Sequence, residues 1–191
     1  MRVYYFWSME EMSLEELKYP IGHFVKPPGI NSMIVKDWVA QIEALPVNVL
    51  DIVTPLSKTQ LDTPYRQGGW TVRQVVHHLA DSHHHSYIRF KWALTEDNPV
   101  IKPYLEKEWA QLFDSVSGPI DLSLAHLEAV HAKLVYLLNG LSAVELKKTF
   151  IHPVGNTETT LEENIGRYAW HGNHHLAHIQ SLIDRNNWFP L

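Results

Sequence analysis

Apolar residues recur every three or four positions in four long segments of the chain, which is the spacing of one face of a helix. These segments cover about residues 32–56, 71–94, 121–138 and 160–185. Almost no stretch alternates with the two-residue period of a strand. The pattern predicts an all-α protein, an antiparallel four-helix bundle with long connections.

Cap residues stand at the start of two of these segments. Thr71 is followed by Gln74, and Thr160 is followed by Glu163. Both pairs have the spacing of a capping box, in which two side chains satisfy free N–H groups of the first helical turn. Pro46 lies inside the first segment, where it predicts a kink or a break, because proline has no N–H to donate.

The connections contain turn residues. Residues 150–159 include Pro153 and Gly155, which predict a small hairpin or an irregular loop. Residues 104–113 are compatible with a short helix inside a long crossover. The prolines between residues 19 and 30 predict an extended arm.

The beginning of the chain lacks a clear period. We predict that residues 1–18 form a disordered N-terminal extension and that residues 19–191 form one domain. Met12 is a candidate for the true start of translation. Mass spectrometry of protein made from the native gene tests this expectation, and an intact Met1 end would contradict it.

Composition narrows the possible functions. A chain of 191 residues that is 45% hydrophobic is sufficient for one domain with a real core. The net charge of −5 and the scattered basic residues argue against a nucleic-acid surface. No apolar run reaches the roughly 20 residues of a membrane span. The absence of cysteine excludes disulfides and thiolate nucleophiles. A cytoplasmic protein is the expectation.

Histidine is the unusual component. The chain has 13 histidines, and most of them fall in two short segments on the second and fourth predicted helices. The clustered residues are His77, His78, His83, His84, His85, His171, His174, His175 and His178. This clustering indicates a metal site more strongly than any single pair, because pairs four residues apart also occur by chance.

On the last helix, two pairs of histidines have the spacing of a chelate. His171 and His175 stand four apart beside the apolar stripe, whereas His174 and His178 face a more polar side. We therefore favour His171 and His175 as ligands. Gly172, which follows His171, allows another helix or a substrate to come close. The glutamate that a zinc-protease motif requires at that position is absent.

Periodicity does not identify a ligand on the second helix. His83 lies nearest to the apolar stripe, but a buried histidine satisfied by a hydrogen bond is the simpler interpretation. His78 points to one side and His77 lies further round the helix. The third ligand therefore stays open at this point.

Several motifs strongly resemble the YfiT group of the DinB superfamily. They are YPIG (residues 19–22), LDTPYRQGGWTVRQVVHHLADSH (61–83), SYIRFK (86–91) and WHGNHHLAHI (170–179). The resemblance covers about residues 19–188. Proteins of this group are four-helix bundles, commonly dimers, and are described as metal-dependent hydrolases; related members are described as bacillithiol S-transferases.

The resemblance implies one divalent metal ion per chain, held by His78, His171 and His175, with zinc or nickel expected. It also implies that Tyr65, Arg66, Trp70 and Arg89 belong to a motif that lines the pocket. For Trp70 we prefer the simpler interpretation of a packing anchor. A homodimer is expected from the resemblance, from the long 94–121 crossover and from Trp170, which is predicted to be exposed.

Two reactions are compatible with such a site. The metal can activate a bound water for hydrolysis of a small-molecule substrate, or it can present a low-molecular-weight thiol to an electrophile. The chain has no cysteine, so that thiol would come from outside. A non-catalytic metal-binding module and a bundle with purely structural histidines are further alternatives. The catalytic residues stay unassigned.

Carboxylates near the predicted ligands are candidates for their outer hydrogen-bond partners. Asp81, Glu162 and Glu163 are the nearest in sequence. We expect them instead to serve as a solvated face and as charges at a helix N-terminus.

Overall fold

Four long helices form the body of the protein. The computed structural model describes residues 12–189. The long helices are α2 (Ser32–Val53), α4 (Val72–Thr95), α7 (Ile120–Asn139) and α8 (Leu161–Arg185). Their bounds lie close to the four predicted segments, and the predicted all-α four-helix bundle is confirmed. No helix in the described range is long and apolar enough to cross a membrane.

Short elements occupy the connections. They are α1 (Leu14–Lys18), α3 (Lys58–Leu61), α5 (Glu106–Trp109), α6 (Phe113–Ser117), and the antiparallel strands β1 (Thr149–His152) and β2 (Thr157–Thr160). The hairpin confirms one of the two expectations for residues 150–159. The crossover contains the expected short helix, α5, and also α6, which was not predicted.

The N-terminal part of the described chain is ordered around α1. This helix lies within the predicted extension and begins with a capping box of Ser13 and Glu16. Residues 1–11, which precede the candidate start at Met12, lie outside the described residues. The division of the chain at residue 18 stays a prediction.

The order of the helices in the bundle places α4 beside α8. Helix α4 packs against α7 and α8, and α2 packs against the same two helices. In a simple up-and-down bundle the second and fourth helices would be diagonal. Contacts along α4 and α8 advance in opposite directions, as do those along α2 and α7, so these pairs are antiparallel. The pairs α2/α8 and α4/α7 run parallel.

The predicted caps form to different extents. Thr71 and Gln74 form the complete capping box at the start of α4. At the start of α8, the Thr160 hydroxyl accepts from the Glu163 N–H, but the Glu163 carboxylate does not close the box. It accepts instead from Lys26 and Arg167 at 2.6 and 2.7 Å, because two cations hold it more strongly than one backbone N–H.

Pro46 does not end its helix. Of the two expectations, the break is wrong, since α2 continues from Ser32 to Val53 with Pro46 inside it, and the kink stays a prediction. Burial explains the tolerance: Ile42, Leu45 and Val49 are all almost completely buried around this position, so packing outweighs the missing hydrogen bond.

Close approach between α2 and α8 requires glycine at position 172. A Cβ atom built on Gly172 meets the Leu45 side chain, which is buried in the core. The expectation that Gly172 allows close approach of another helix is confirmed. We expect Gly172→Ala to lower the free energy of unfolding by about 1–2 kcal/mol, because overpacking exceeds the better helix propensity of alanine. Thermal melts check this. Gly140→Ala is the control, since a Cβ there contacts nothing closer than 3.5 Å and should leave the melting temperature unchanged.

Candidate metal centre

Three histidine side chains converge between α4 and α8. His78 comes from α4, and His171 and His175 come from successive turns of α8. Each histidine offers one ring nitrogen to the cluster, and these three nitrogens all lie within 4.8 Å of one another. The Nε2 atoms of His78 and His171 are 3.2 Å apart. The rings meet because α4 and α8 are neighbours and because the four-residue spacing places both α8 histidines on one face.

The geometry and protonation of this cluster fit a divalent metal ion. Two nitrogens bound to one tetrahedral zinc ion at about 2.0–2.1 Å are about 3.3 Å apart, which matches the observed 3.2 Å. Burial lowers the pKa of His78 to about 3. It also holds the pKa values of His171 and His175 well below their usual range. All three rings are therefore neutral near pH 7, which is the form that binds metal.

The outer nitrogen of His171 begins a line of histidines through the core. His171 Nδ1 lies 3.2 Å from His83 Nε2, and His83 Nδ1 lies 2.8 Å from His131 Nε2. His131 Nδ1 lies 2.6 Å from the carbonyl oxygen of Ile42. His83 and His131 are 0% and 2% exposed, so these contacts are their hydrogen-bonding environment. The interpretation of His83 as a buried, hydrogen-bonded histidine is confirmed.

A shorter line extends from His175. Its Nδ1 atom lies 3.4 Å from His178 Nδ1, and His178 Nε2 lies 2.9 Å from the carbonyl oxygen of Lys18. His178, which belongs to the less favoured pair, thus lies behind His175. His174, the other histidine of that predicted pair, packs against Trp170 with ring centroids 4.6 Å apart.

The third histidine has aromatic neighbours. His78 Nδ1 lies 3.3 Å from the Tyr104 hydroxyl. Trp70 packs against the rings of His78 and His175, with centroids 4.7 and 6.3 Å away. The prediction that Trp70 is a packing anchor is confirmed, and its packing restrains two of the three converging rings.

The candidate carboxylates do not contact the three histidines. Glu162 pairs with Lys147, and Glu163 pairs with Lys26 and Arg167. The expectation that they are helix-terminal charges is confirmed. Both are nevertheless buried, so they are not part of a solvated face. Asp81 is half-buried, and burial raises its pKa to about 6.

A cavity of about 370 Å³ opens beside His171. The helices contribute Ser82, Arg89, Arg167, Tyr168, Trp170 and His171 to its wall, and the connections contribute Phe24, Pro103, Tyr104, Glu106, His152 and Val154. The prediction of a pocket role is thus met by Arg89. Tyr65, Arg66 and Trp70 do not line this cavity, so a pocket role for Tyr65 and Arg66 stays a prediction, and Trp70 has the packing role preferred for it. Tyr65 instead stacks on His178 with ring centroids 4.0 Å apart, and the Arg66 guanidinium lies over the Tyr65 ring.

Trp170 is less exposed than predicted. It is half-buried, and its indole N–H donates to the Gly22 carbonyl at 3.2 Å. The extended arm of residues 19–30 therefore covers it, which removes one reason for expecting a dimer. Sequence reasoning missed the roles of His131 and Tyr104. The signal for His131 was a histidine on the apolar seam of α7, since a buried polar group needs a partner.

The chain belongs to the DinB superfamily, whose sequence profile matches residues 41–179. It is similar in structure to YfiT from Bacillus subtilis, described as "a probable metal-dependent hydrolase with an unusual four-helix bundle topology". The TM-score is 0.89 at 46% identity, covering 91% of this chain and 99% of YfiT.

Relatives in sequence agree with this assignment. A protein of Oceanobacillus iheyensis is 53% identical over 171 residues, which are 90% of this chain and 98% of the relative. A protein of Bacillus mycoides is 53% identical over 175 residues, 92% of this chain and all of the relative. Both carry the name "putative metal-dependent hydrolase". The resemblance to the YfiT group is confirmed.

Proposed function

We propose that the protein is a metal-dependent hydrolase in which His78, His171 and His175 hold one divalent ion. The observation that carries this proposal is the convergence of three neutral imidazoles beside an open cavity. The names of its relatives support the same class. Three imidazoles suit zinc and nickel alike, so we propose that the resident metal is either zinc or nickel.

Three protein ligands leave coordination positions open, which is typical of catalytic sites. A divalent ion held there would polarise a substrate carbonyl and lower the pKa of a water molecule. The protein residues supply orientation. Tyr104, which lines the cavity, contacts His78, and Arg89 and Tyr168 line the same cavity. Trp70 packs against His78 and His175.

Turnover measurements with and without metal test the proposal. Metal-loaded and chelated protein are compared on a panel of esters and amides, and also on electrophiles with a low-molecular-weight thiol. We expect hydrolysis that requires metal and does not require thiol. Turnover that requires the thiol would replace hydrolysis by S-transfer. Bound metal with no turnover in either assay would favour the binding module.

The charge of Arg89 indicates the class of substrate. Its Nη1 donates to the Tyr168 hydroxyl at 3.1 Å, while its Nε is buried without a partner. Arg89 takes part in none of the ion pairs among the described residues. The acidic residue of the cavity wall, Glu106, is exposed at its rim. We propose that the small-molecule substrate carries a carboxylate or phosphate that Arg89 binds.

Matched inhibitors check this. Hydroxamic acids bind metal, so ω-carboxy hydroxamates of increasing chain length are compared with their neutral amides by titration of cobalt-loaded protein. At the best length we expect the carboxylate to bind about 10-fold more tightly, the effect of one charged hydrogen bond of ~1.5 kcal/mol. Arg89→Gln should remove this advantage and leave the amide unaffected.

Arg167→Gln is the matched control, because Arg167 lines the same cavity but is paired with Glu163 at 2.7 Å. The Arg167→Gln variant should still bind the carboxylate inhibitor more tightly than its amide. Equal affinity of acid and amide in the wild type would contradict the anionic substrate while leaving the metal site intact. The homodimer stays a prediction.

A further inference from the structure

We propose that two lines of hydrogen-bonded histidines, each ending on a backbone carbonyl, set the ring protons of His171 and His175 so that Nε2 of each faces the metal. We further propose that Pro46 frees one of those carbonyls. This inference rests on the proposed metal site but not on any reaction there.

The first line has one consistent arrangement of protons. A carbonyl oxygen only accepts, so His131 Nδ1, 2.6 Å from the Ile42 oxygen, carries the proton. A neutral imidazole has one N–H, so His131 Nε2 must accept from His83 Nδ1 at 2.8 Å. His83 Nε2 then accepts from His171 Nδ1 at 3.2 Å. The remaining nitrogen of His171, Nε2, has a free lone pair and faces His78 Nε2.

Burial keeps the rings of this line neutral. His83 is completely buried, and both of its ring nitrogens contact other histidines. Burial lowers the pKa of His131 to about 4. Neither ring therefore carries a second N–H near neutral pH, and the single arrangement of protons is preserved along the line.

Pro46 explains why the Ile42 carbonyl is available. Within α2, the N–H of residue 46 would normally donate to the carbonyl of residue 42, four positions earlier. Proline has no N–H, so this bond cannot form. His131 reaches across from α7 and donates to that oxygen. The line thus begins on α2 and passes through α7 and α4 to α8, so it connects all four long helices.

The second line of histidines, which runs from the Lys18 carbonyl through His178 to His175, fixes its ring protons in the same way. The Lys18 carbonyl accepts from His178 Nε2 at 2.9 Å, so His178 Nδ1 is left as an acceptor. His175 Nδ1, 3.4 Å away, donates to it, and His175 Nε2 keeps a free lone pair. His178 is buried with both ring nitrogens in these two contacts, and a buried imidazole without an acidic partner is neutral near pH 7.

Backbone carbonyls thus take the place of the carboxylates that often orient metal-binding histidines. The wrong tautomer would place an N–H where the metal binds, and ligation would then require the proton to move along the whole line. A proton set in advance avoids that cost. His83, His131, His178 and Pro46 are therefore positioning residues and do not touch the metal.

Nitrogen NMR of the metal-free protein tests the proton arrangement directly. Long-range ¹H–¹⁵N spectra distinguish Nδ1–H from Nε2–H imidazoles. We expect His131, His83, His171 and His175 as Nδ1–H tautomers and His178 as Nε2–H. If any ring shows the opposite tautomer, the proposed proton arrangement of its line is wrong. This readout is independent of turnover, so the hydrolase proposal can fail while this inference stands.

A variant that removes the middle of the first line tests its effect on metal binding. His131→Phe keeps the buried ring but cannot accept from His83 or donate to Ile42. We expect zinc affinity, measured by competition with a chromophoric chelator, to fall about 10–100-fold. His131→Gln can still donate to one neighbour and accept from the other, so it should lose less. Equal losses in the two variants would contradict the proposal.

His126→Phe is the matched control. His126 also lies on α7 and contacts a histidine of α4, His84 at 2.8 Å, but this pair lies at the surface away from the three histidines. Zinc affinity should not change. Should His131→Phe fail to fold, the wild-type NMR result still decides the proposal.

Pro46→Ala separates stability from metal binding. Alanine restores the N–H that competes with His131 for the Ile42 oxygen. We expect a higher melting temperature of the metal-free protein, because alanine favours the helix, together with a several-fold loss of zinc affinity. Unchanged zinc affinity would remove Pro46 from the proposal.

Discussion

Replacing His171 with alanine should leave the purified protein nearly free of metal. His171 converges with His78 and His175, and its Nε2 is 3.2 Å from that of His78. Without His171, two imidazoles remain to bind the metal. A bond from a ligand to the metal contributes more affinity than a hydrogen bond that only orients a ligand. We therefore expect metal affinity to fall by more than the roughly 100-fold that outer contacts contribute. Elemental analysis and chelator competition measure this, and metal-dependent turnover should disappear with it.

His84→Ala is the control for that experiment. His84 is an exposed histidine of α4 whose hydrogen-bond partner is His126, so it shares chemistry but not location with the site. Its variant should keep wild-type metal content. A His171→Ala protein that is folded by circular dichroism and still holds metal stoichiometrically would contradict the proposed site.

The metal-free protein should unfold sharply in mild acid. Seven histidines of the three-histidine cluster and its surroundings have pKa values that burial lowers: His78, His83, His131, His171, His174, His175 and His178. In the unfolded chain they titrate near 6.5. As the pH falls below 6.5, the unfolded state therefore binds protons that the folded state does not. The stability is present above pH 6.5 and is lost as the pH falls towards the folded-state pKa values.

The number of groups makes this effect large. Each proton contributes up to about 1.4 kcal/mol per pH unit, so seven approach roughly 10 kcal/mol per pH unit, comparable to the whole stability of a domain. Asp81 acts in the opposite direction, because its pKa is raised to about 6 and the folded state binds its proton first. One such group cannot offset seven. We expect a midpoint between about pH 5 and 6.

Far-UV circular dichroism during acid titration in the presence of a chelator measures the midpoint. Adding zinc should move it to lower pH, because metal holds its ligands deprotonated. A chelated protein that stays folded at pH 4 would show that the buried histidines titrate nearly as they do in the unfolded chain.

The helices and half of the site could be predicted from local pattern. The period of apolar residues located all four long helices, and Thr71 with Gln74 marked the start of α4 because capping depends on residues three apart. His171 and His175 could be paired because four-residue spacing on a helix is itself a geometric statement. These features depend on neighbours in sequence.

The remaining features depend on neighbours in space. Rotation on α4 favoured His83 over His78, since periodicity shows which residue faces the core but not which helix lies opposite. Only the placement of α8 beside α4 decides that His78 meets His171. The role of Pro46 was hidden for the same reason: its missing N–H is local, but the histidine that uses the free carbonyl comes from α7. The resemblance to relatives supplied His78, which pattern could not.

Half of the residues that line the cavity lie outside the long helices that carry the converging histidines. The histidines stand on long helices, whereas Pro103, Tyr104 and Glu106 come from the crossover between α4 and α7, and His152 and Val154 come from the hairpin region. Connections tolerate insertion and substitution better than packed helices do. Substitutions in these two connections should therefore reshape the cavity wall, while the four helices keep the three histidines together.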